Sequence, residues 1–480
     1  MNHNKISTKK IGDFCPYYYQ NTNKIVTAST FKEINNQLDN SIRWKLDVSA
    51  ILSLINFNYI QGDRTLIQDV YRMPWHSLIT EENTIRRNPP IPHLNNIFSP
   101  SDIAGRFIEL LTQEFIEEFS DFDNIWILQT GGLDSRVTLA IIRKLSSEGR
   151  IKANINLITW GDIYSRDVIY SKQLAEKYHY NWKHINFDKS ILKQNFEIAV
   201  NFGAAEVSAF HYHGMAKLKE IASSKDCIIA SSFGDSIGRA EYSGIHLSDL
   251  KLIDIYNPYS LFNSDIFRTH KEILEKDRAL AWVTDREQSK VIKNELDMQE
   301  NYMRRMIGHA MDFIRSFTTL KQTFTSHELV SFAYSISPIF RNFDTYFHIL
   351  KLIDPSLLEV PWARTGVSLL NDSVDNNKRH SKHYHNYDNW FFEDYYSITR
   401  DVLFNGQLVK NKIISKLGLS QIFRKWEMEA SLSELVSKLY QIELLISRYD
   451  LKIEPQEYKI SSHLKNSAKQ ILRNKFGILL

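Results

Sequence analysis

Two glycines, a carboxylate and a hydroxyl stand together at Gly131, Gly132, Asp134 and Ser135, inside the stretch WILQTGGLDSRVTLAII (126–142). An apolar run precedes them and helical spacing follows, so a β-strand is expected to turn directly into a helix at Thr130-Gly131-Gly132. The first N–H groups of such a helix, from about Leu133 onward, have no intrahelical acceptor and lie at the positive end of the dipole. That suits an anion. Glycines let the backbone approach a phosphate closely, and Thr130 and Ser135 add hydroxyl donors. Asp134 would repel a bare phosphate, so a divalent cation between them is expected, which points to a magnesium–nucleotide complex. The bland alternative is a glycine turn with Asp134 merely supporting the helix start. Neither GxxxxGK[ST] nor GxGxxG spacing is present.

The elements that must hold this junction can be followed along the chain. Asp47 to Ile79 gives a short helix, turn chemistry at Gly62-Asp63 and strand-like alternation, as in a small domain. The proline-bearing stretch TIRRNPPIPHLNN (84–96) is the expected linker. Ser101 and Asp102 offer an N-cap to a helix carrying Ile103, Phe107, Leu110, Leu111 and Phe115. After the glycine motif, INLITW (155–160), WKHINF (182–187) and CIIASSF (227–233) look like strands. RDVIYSKQLAEKYH (166–179) and HYHGMAKLKEIASS (211–224) look like helices. Such alternation predicts a parallel sheet with right-handed crossovers. From about Ile292 the pattern is mainly helical, interrupted by a polar, His-rich stretch at 371–389.

The 480 residues exceed one ordinary core, and 43% hydrophobic with 24% charged residues is the balance of a globular chain. A net charge of +3, from 59 basic and 56 acidic side chains, supplies no general field for nucleic acid, so no nucleic-acid partner is expected. Cys15 and Cys227 have no metal-ligand or disulfide spacing. The opening residues lead into no apolar signal segment and no stretch approaches the roughly 20 apolar residues of a transmembrane helix. A cytoplasmic protein without a transmembrane segment is expected.

The glycine motif resembles the SGGxDS pyrophosphate loop of the PP-loop ATP pyrophosphatases, with Thr130 for the first serine and Arg136 where many members carry a second one. Within that group the chain resembles the asparagine synthetase and β-lactam synthetase family over roughly residues 47–370. ITWG (158–161) sits where that family meets adenosine, and FTSHELVSFAYSISP (324–338) is similar to its P-F-L-D-x-x-L-V-x-F-A-x-S-L-P segment. DRTLIQDVYRMPWHSLI (63–79) resembles the end of its glutaminase domain. The resemblance implies an α/β fold: a parallel-sheet PP-loop synthetase domain (99–370) with added helices, a truncated glutaminase-like α+β region (1–98) and a mainly helical extension (371–480).

It also implies ATP and Mg2+ as cofactors. Thr130, Gly131, Gly132, Leu133, Asp134, Ser135, Thr159, Trp160, Ser232, Phe233 and Gly234 would bind nucleotide, and Asp134 with Asp235 would hold metal. The second family signature, S-G-E-G-x-D-E, corresponds to ASSFGDSIGRAEYSG (230–244); Asp235 falls one position early and Phe233 replaces the first acid. Lys321, Arg364 and Arg315 are the catalytic cation candidates, since Gly366 or Thr365 stands where the family has a lysine. Glu206, Ser208, His211 and His213, in GAAEVSAFHYHG (203–214), fall where the family binds its acceptor. KRHSKHYHNYDNW (378–390) suits either a lid or a solvated loop, and LKNSAKQILRNKFGILL (464–480) a docked helix or a membrane-surface contact.

The family's nucleophilic cysteine after the initiator methionine is Asn2 here, so no glutaminase activity is expected. The expected function is AMP-forming amide synthesis on a small-molecule, glycan or peptide carboxylate. Nitrogen would come from ammonia, a partner glutaminase or a substrate amine, and a homodimer is allowed. Three alternatives stay open: a nucleotide-binding scaffold in a surface-glycan or peptide biosynthetic complex, a peptide macrolactam cyclase, and a transferase adenylating a tRNA base.

Overall fold

The computed structural model describes residues 7–454 apart from 9, 21–24, 39–41, 120–121, 244–253, 282–289 and 378. Asn2, Gly244, Lys378 and the tail 464–480 therefore lie outside the described residues.

The amino-terminal part carries β1 (Ser7–Thr8), β2 (Tyr17–Gln20), β3 (Ile25–Ala28), α1 (Phe31–Gln37), α2 (Val48–Phe57), β4 (Val70–Arg72), β5 (Ser77–Ile79) and β6 (Ile85–Arg87). These strands form two antiparallel sheets, ordered β3-β2-β4 and β1-β5-β6. The expected linker thus begins as an edge strand, and its remainder crosses the surface, where Leu94 N–H donates to Tyr334 O (2.8 Å).

The central part runs α3 (Pro100–Phe119), β7 (Asn124–Leu128), α4 (Leu133–Ser147), β8 (Asn154–Gly161), α5 (Arg166–Lys177), β9 (Asn181–Asn186), α6 (Ile191–Asn201) and β10 (Cys227–Ala230). Then follow α7 (Ser264–Ala281), α8 (Lys290–Asp297), a π-helical segment Met298–Gly308, α9 (His309–Arg315), β11 (Thr319–Gln322), α10 (His327–Ser335) and α11 (Phe343–Ile353). Helices α12 (Tyr387–Asn405), α13 (Gln407–Lys410), α14 (Lys416–Trp426) and α15 (Ser433–Tyr449) complete the described chain.

The chain has an α/β fold built on a five-stranded, wholly parallel sheet, ordered β11-β10-β7-β8-β9. Alternation along the strands divides two cores. Ile125, Ile127, Leu157, Cys227 and Ile229 face α3, α4 and α11, whereas Trp126, Ile158, Ile228 and Leu320 join the opposite cluster, which reaches α2, α6 and α15. That second core crosses the spans 1–98, 99–370 and 371–480 alike. The strand order reverses at β7, between β10 and β8, so a crevice opens above the carboxyl ends of β7 and β10.

Three local expectations are corrected. HYHGMAKLKEIASS is not an α-helix but two 3-10 turns, Ala209–His211 and Met215–Glu220, separated by His213 with φ 43°. A left-handed residue followed by Gly214 interrupts the helical ladder. Ser99 rather than Ser101 caps α3, its Oγ accepting the Asp102 N–H (3.1 Å). TTLKQT contains the fifth strand, β11, where a helix-rich pattern was expected. Cys15 and Cys227 are buried free thiols, both pushed up to about 12 by burial. Among the described residues no helix is long and apolar enough to cross a membrane.

Candidate functional site

Strand β7 delivers the chain into the crevice, and Gly132 caps α4 with no side-chain hydrogen bond. The loop holds itself in shape. Ser135 Oγ accepts from Thr130 N (3.2 Å) and Gln129 Nε2 (3.0 Å), while Thr130 Oγ1 accepts from Gly132 N (3.0 Å). Asp167 Oδ1, at the start of α5, accepts from Gly131 N (3.1 Å). Burial raises the Asp167 carboxyl above its usual range. Buried Arg136 ties the loop to the 357–363 segment, donating to Gly131 O (3.1 Å), Leu357 O (3.0 Å), Val360 O (2.7 Å) and Pro361 O (3.0 Å). With only carbonyls for partners, its guanidinium is lowered to about 10 by burial. A Cβ on Gly131 would stand 2.8 Å from that of Ala363, whose N–H meets Gly131 O (3.1 Å), so glycine is a steric requirement here.

The turn after β10 closes the other side. A Cβ on Gly234 would lie 2.5 Å from Asp134 Oδ1, so the two loops touch at that carboxylate. Arg239 grips Asp134 through Nε (3.3 Å) and Nη2 (2.8 Å), and its Nη1 pairs with Glu241. Glu241 in turn accepts from Arg364 (3.1 Å to each oxygen). Asp134, Arg239, Glu241 and Arg364 thus form a ladder of alternating charge. Asp235 sits beside it, with Oδ2 accepting from Tyr242 (2.9 Å) and Oδ1 buried without a partner. Burial, together with the neighbouring Asp134 charge, pushes the Asp235 carboxyl up to about 7.

A cavity of about 450 Å3 opens beside these loops. Thr130, Asp167, Ser232 and Asp235 supply its polar lining, with His211 bonded to Glu434 (3.1 Å). Trp160, His213 and Tyr384 add aromatic surface, and Met215, Tyr302, Met306 and Met311 an apolar wall. His213 stacks with Trp160 (6.0 Å, 27°) and Tyr387 (6.0 Å, 18°); burial, with His211 and His385 nearby, keeps it neutral by lowering its pKa well below the usual range. The His-rich segment docks across the end of β8: Asp162 N–H donates to Tyr384 O (2.8 Å) and Arg166 N–H to Ser381 O (2.8 Å).

Of the residues singled out from the sequence, Thr130, Trp160, His211, His213, Ser232 and Asp235 meet at this cavity. Gly131, Gly132, Leu133, Asp134, Ser135 and Gly234 build the adjoining loops, and Arg364 reaches them through Glu241. The others stand elsewhere. Thr159 is buried behind the loop, donating to Gln129 O (2.7 Å). Phe233 is fully buried against Trp75 (5.6 Å). Ser208 caps a 3-10 turn, and Glu206 is buried in an ion pair with Arg305 (2.7 Å). Lys321 faces Glu118 (3.9 Å), and Arg315 holds Gly12 O (2.7 Å) and Asp312 (3.2 Å); neither lines the cavity. Gly366, with φ +74°, forms a tight turn against Arg166, a backbone conformation that lysine would adopt only with strain. Arg239, Glu241, Tyr242 and Asp167 are polar site residues without a sequence assignment, as are the apolar and aromatic lining residues Met215, Tyr302, Met306, Met311 and Tyr384.

The donor set fits a nucleotide's phosphates and a divalent cation. An uncapped helix start suits phosphate oxygens. Two carboxylates, one with an orphaned oxygen, suit magnesium, which commonly takes one or two protein carboxylates and completes its shell from phosphate and water. No cluster of three or more His, Cys, Asp or Glu among the described residues is arranged to hold a metal on its own.

No protein-family model and no curated protein sequence matches this chain. Solved structures resemble it distantly. The NMN synthetase of Francisella tularensis is 14% identical, covers 51% of this chain and 97% of its own length, and has a TM-score of 0.22. The NH3-dependent NAD synthetase of Campylobacter jejuni is 13% identical, with 43% and 96% covered and a TM-score of 0.24. A predicted tRNA methyltransferase subunit of Methanocaldococcus jannaschii is 18% identical with a TM-score of 0.16; 22% of this chain matches about half of it, 51%. Likenesses this slight carry no argument about what the chain binds or does.

Proposed function

We propose that the chain is an ATP-dependent, AMP-forming ligase of the PP-loop type, close in chemistry to the asparagine synthetases, that activates a substrate carboxylate and passes it to nitrogen. The observation that carries this reading is the uncapped start of α4 beside a cavity shared with the orphaned carboxylate oxygen of Asp235. The β- and γ-phosphates would lie on the Thr130–Ser135 loop, leaving the α-phosphorus exposed to the cavity. Trp160, His213 and Tyr384 offer the aromatic surface on which a purine would stack.

A substrate carboxylate oxygen would then attack the α-phosphorus, and the bond to the bridging oxygen would break as pyrophosphate leaves. Next a nitrogen lone pair would attack the acyl carbon, the C–O bond to AMP would break, and the amine would lose a proton to solvent. Magnesium, when bound, would neutralise the phosphate charge; Asp134 and Asp235 would hold it. Arg239 and Arg364 supply the remaining positive charge on the ladder beside the loop. For Arg239 to face phosphate, it must release Asp134.

Pyrophosphate release with ATP, Mg2+ and a panel of carboxylic acids tests the reading, with ATP binding followed by calorimetry. Release that depends on both acid and ATP is expected. A second reading, nucleotide binding without turnover, is favoured by Arg239 occupying Asp134 and by Lys321 being paired with Glu118. ATP binding with no release from any acid would establish that reading in place of the first.

A further inference from the structure

The cavity's apolar wall comes from one unusual element. Helices α8 and α9 and the segment between them form a continuous rod from Lys290 to Arg315, and its middle 11 residues, Met298–Gly308, are π-helical. So long a π-helical stretch is rare, since π-helical geometry occurs mostly as single turns, and those are frequent at functional sites. Its wider winding keeps residues four and five apart on one face. Tyr302, Met306 and Ile307, continued by Ala310 and Met311, all line the cavity. The opposite face is fastened to the amino-terminal region: Arg304 donates to Met73 O (3.2 Å) and Gly62 O (2.9 Å), and Asn301 Oδ1 accepts from Gly62 N (2.8 Å). The wall is therefore held from behind while presenting unbranched, adaptable methionine side chains to the cavity.

The charges on the lining complete the picture. Among the described residues that line the cavity none is lysine or arginine, and Asp167 and Asp235 are both acids. A second carboxylate on the substrate would find no lysine or arginine on that lining to pair with, whereas an aliphatic or aromatic tail would gain by leaving water.

Resting on the ligase reading, we infer that the acid substrate is a monocarboxylic acid with an apolar tail, its carboxylate toward Thr130 and its tail against Met215, Tyr302, Met306 and Met311. The test uses the full chain, with binding of 4-phenylbutyrate, succinate and L-aspartate measured by calorimetry, alone and with ATP and Mg2+. Phenylbutyrate is expected to bind at least tenfold tighter than either dicarboxylate. Met306→Asp should weaken it at least tenfold, exceeding any loss for ATP by fivefold or more. Ala310→Phe, which fills the wall without charging it, is the second variant and should act in the same direction should Met306→Asp not fold. Dicarboxylates binding as well as phenylbutyrate, or phenylbutyrate binding unmoved by the folded variants, would overturn the assignment. Phenylbutyrate binding that responds to the variants in a protein that fails to take ATP would sink the nucleotide reading and leave the apolar pocket standing.

Discussion

At Gly234 the turn after β10 comes so near α4 that an added methyl would stand 2.5 Å from Asp134 Oδ1 and 2.7 Å from its Cβ. The carboxylate cannot retreat freely, because Arg239 holds both its oxygens. Gly234→Ala is therefore expected to displace Asp134 and weaken ATP binding about tenfold, or roughly 1.4 kcal/mol, in a calorimetric titration with Mg2+. Gly105 gives the contrast, since a Cβ there meets nothing within 4 Å and the residue lies inside α3. Gly105→Ala should stabilise the fold by about 0.5–1 kcal/mol in chemical denaturation, through helix propensity and a less disordered unfolded chain, without altering nucleotide affinity. The glycine turn between β7 and α4 was legible in the sequence because its backbone geometry is local. Arg239 was not: nothing about an arginine in a turn announces that its partner stands 105 positions earlier in the chain.

The elements were legible wherever burial imposes a period. INLITW and CIIASSF lie between neighbours on both sides in the sheet and read as nearly continuous apolar runs. β11 escaped notice because Leu320 is the only apolar residue in TLKQ, on an edge strand of four residues. HYHGMAKLKEIASS misled because Met215, Leu218 and Ala222 have helical spacing, while the left-handed His213 that breaks the ladder is invisible in one dimension. On α3, Glu114 is buried and accepts from Thr325 N (3.1 Å) and Oγ1 (3.3 Å), fixing the turn after β11. Burial raises its carboxyl to about 7. The folded state thus holds a proton that the unfolded chain releases above its ordinary value of 4.5. This group's contribution is fully present below about pH 4.5 and is lost as pH rises through 7. Glu114→Gln should flatten that slope and leave the variant more stable than the parent at pH 8, by on the order of 2 kcal/mol, in denaturation series from pH 5 to 8.

Across the whole molecule, the buried arginines of the π-helical rod link parts of the chain far apart in sequence. Arg305 donates to Glu206 (2.7 Å), which follows α6, and to Arg64 O (2.6 Å) in the amino-terminal region, while Arg72 on β4 pairs with Asp312 (3.3 Å) on α9. Both partners of the Arg305–Glu206 pair are almost wholly buried. Removing one leaves the other buried without its ion-pair partner, a loss of about 3–5 kcal/mol for such pairs. Arg305→Met is expected to destabilise the chain by that amount, and adding Glu206→Gln to recover part of it, since the stranded carboxylate is then gone. One of the two apolar cores reaches from Tyr17 through Phe196 and Phe313 to Leu445, joining the amino-terminal region to the sheet and the last helices, so in parent and variants alike these parts are expected to unfold in one shared transition. Denaturation followed together by far-ultraviolet dichroism and tryptophan fluorescence checks this. Two separated transitions would mean that the amino-terminal region folds apart from the sheet, and that its hold on the methionine wall is weaker than these buried contacts indicate.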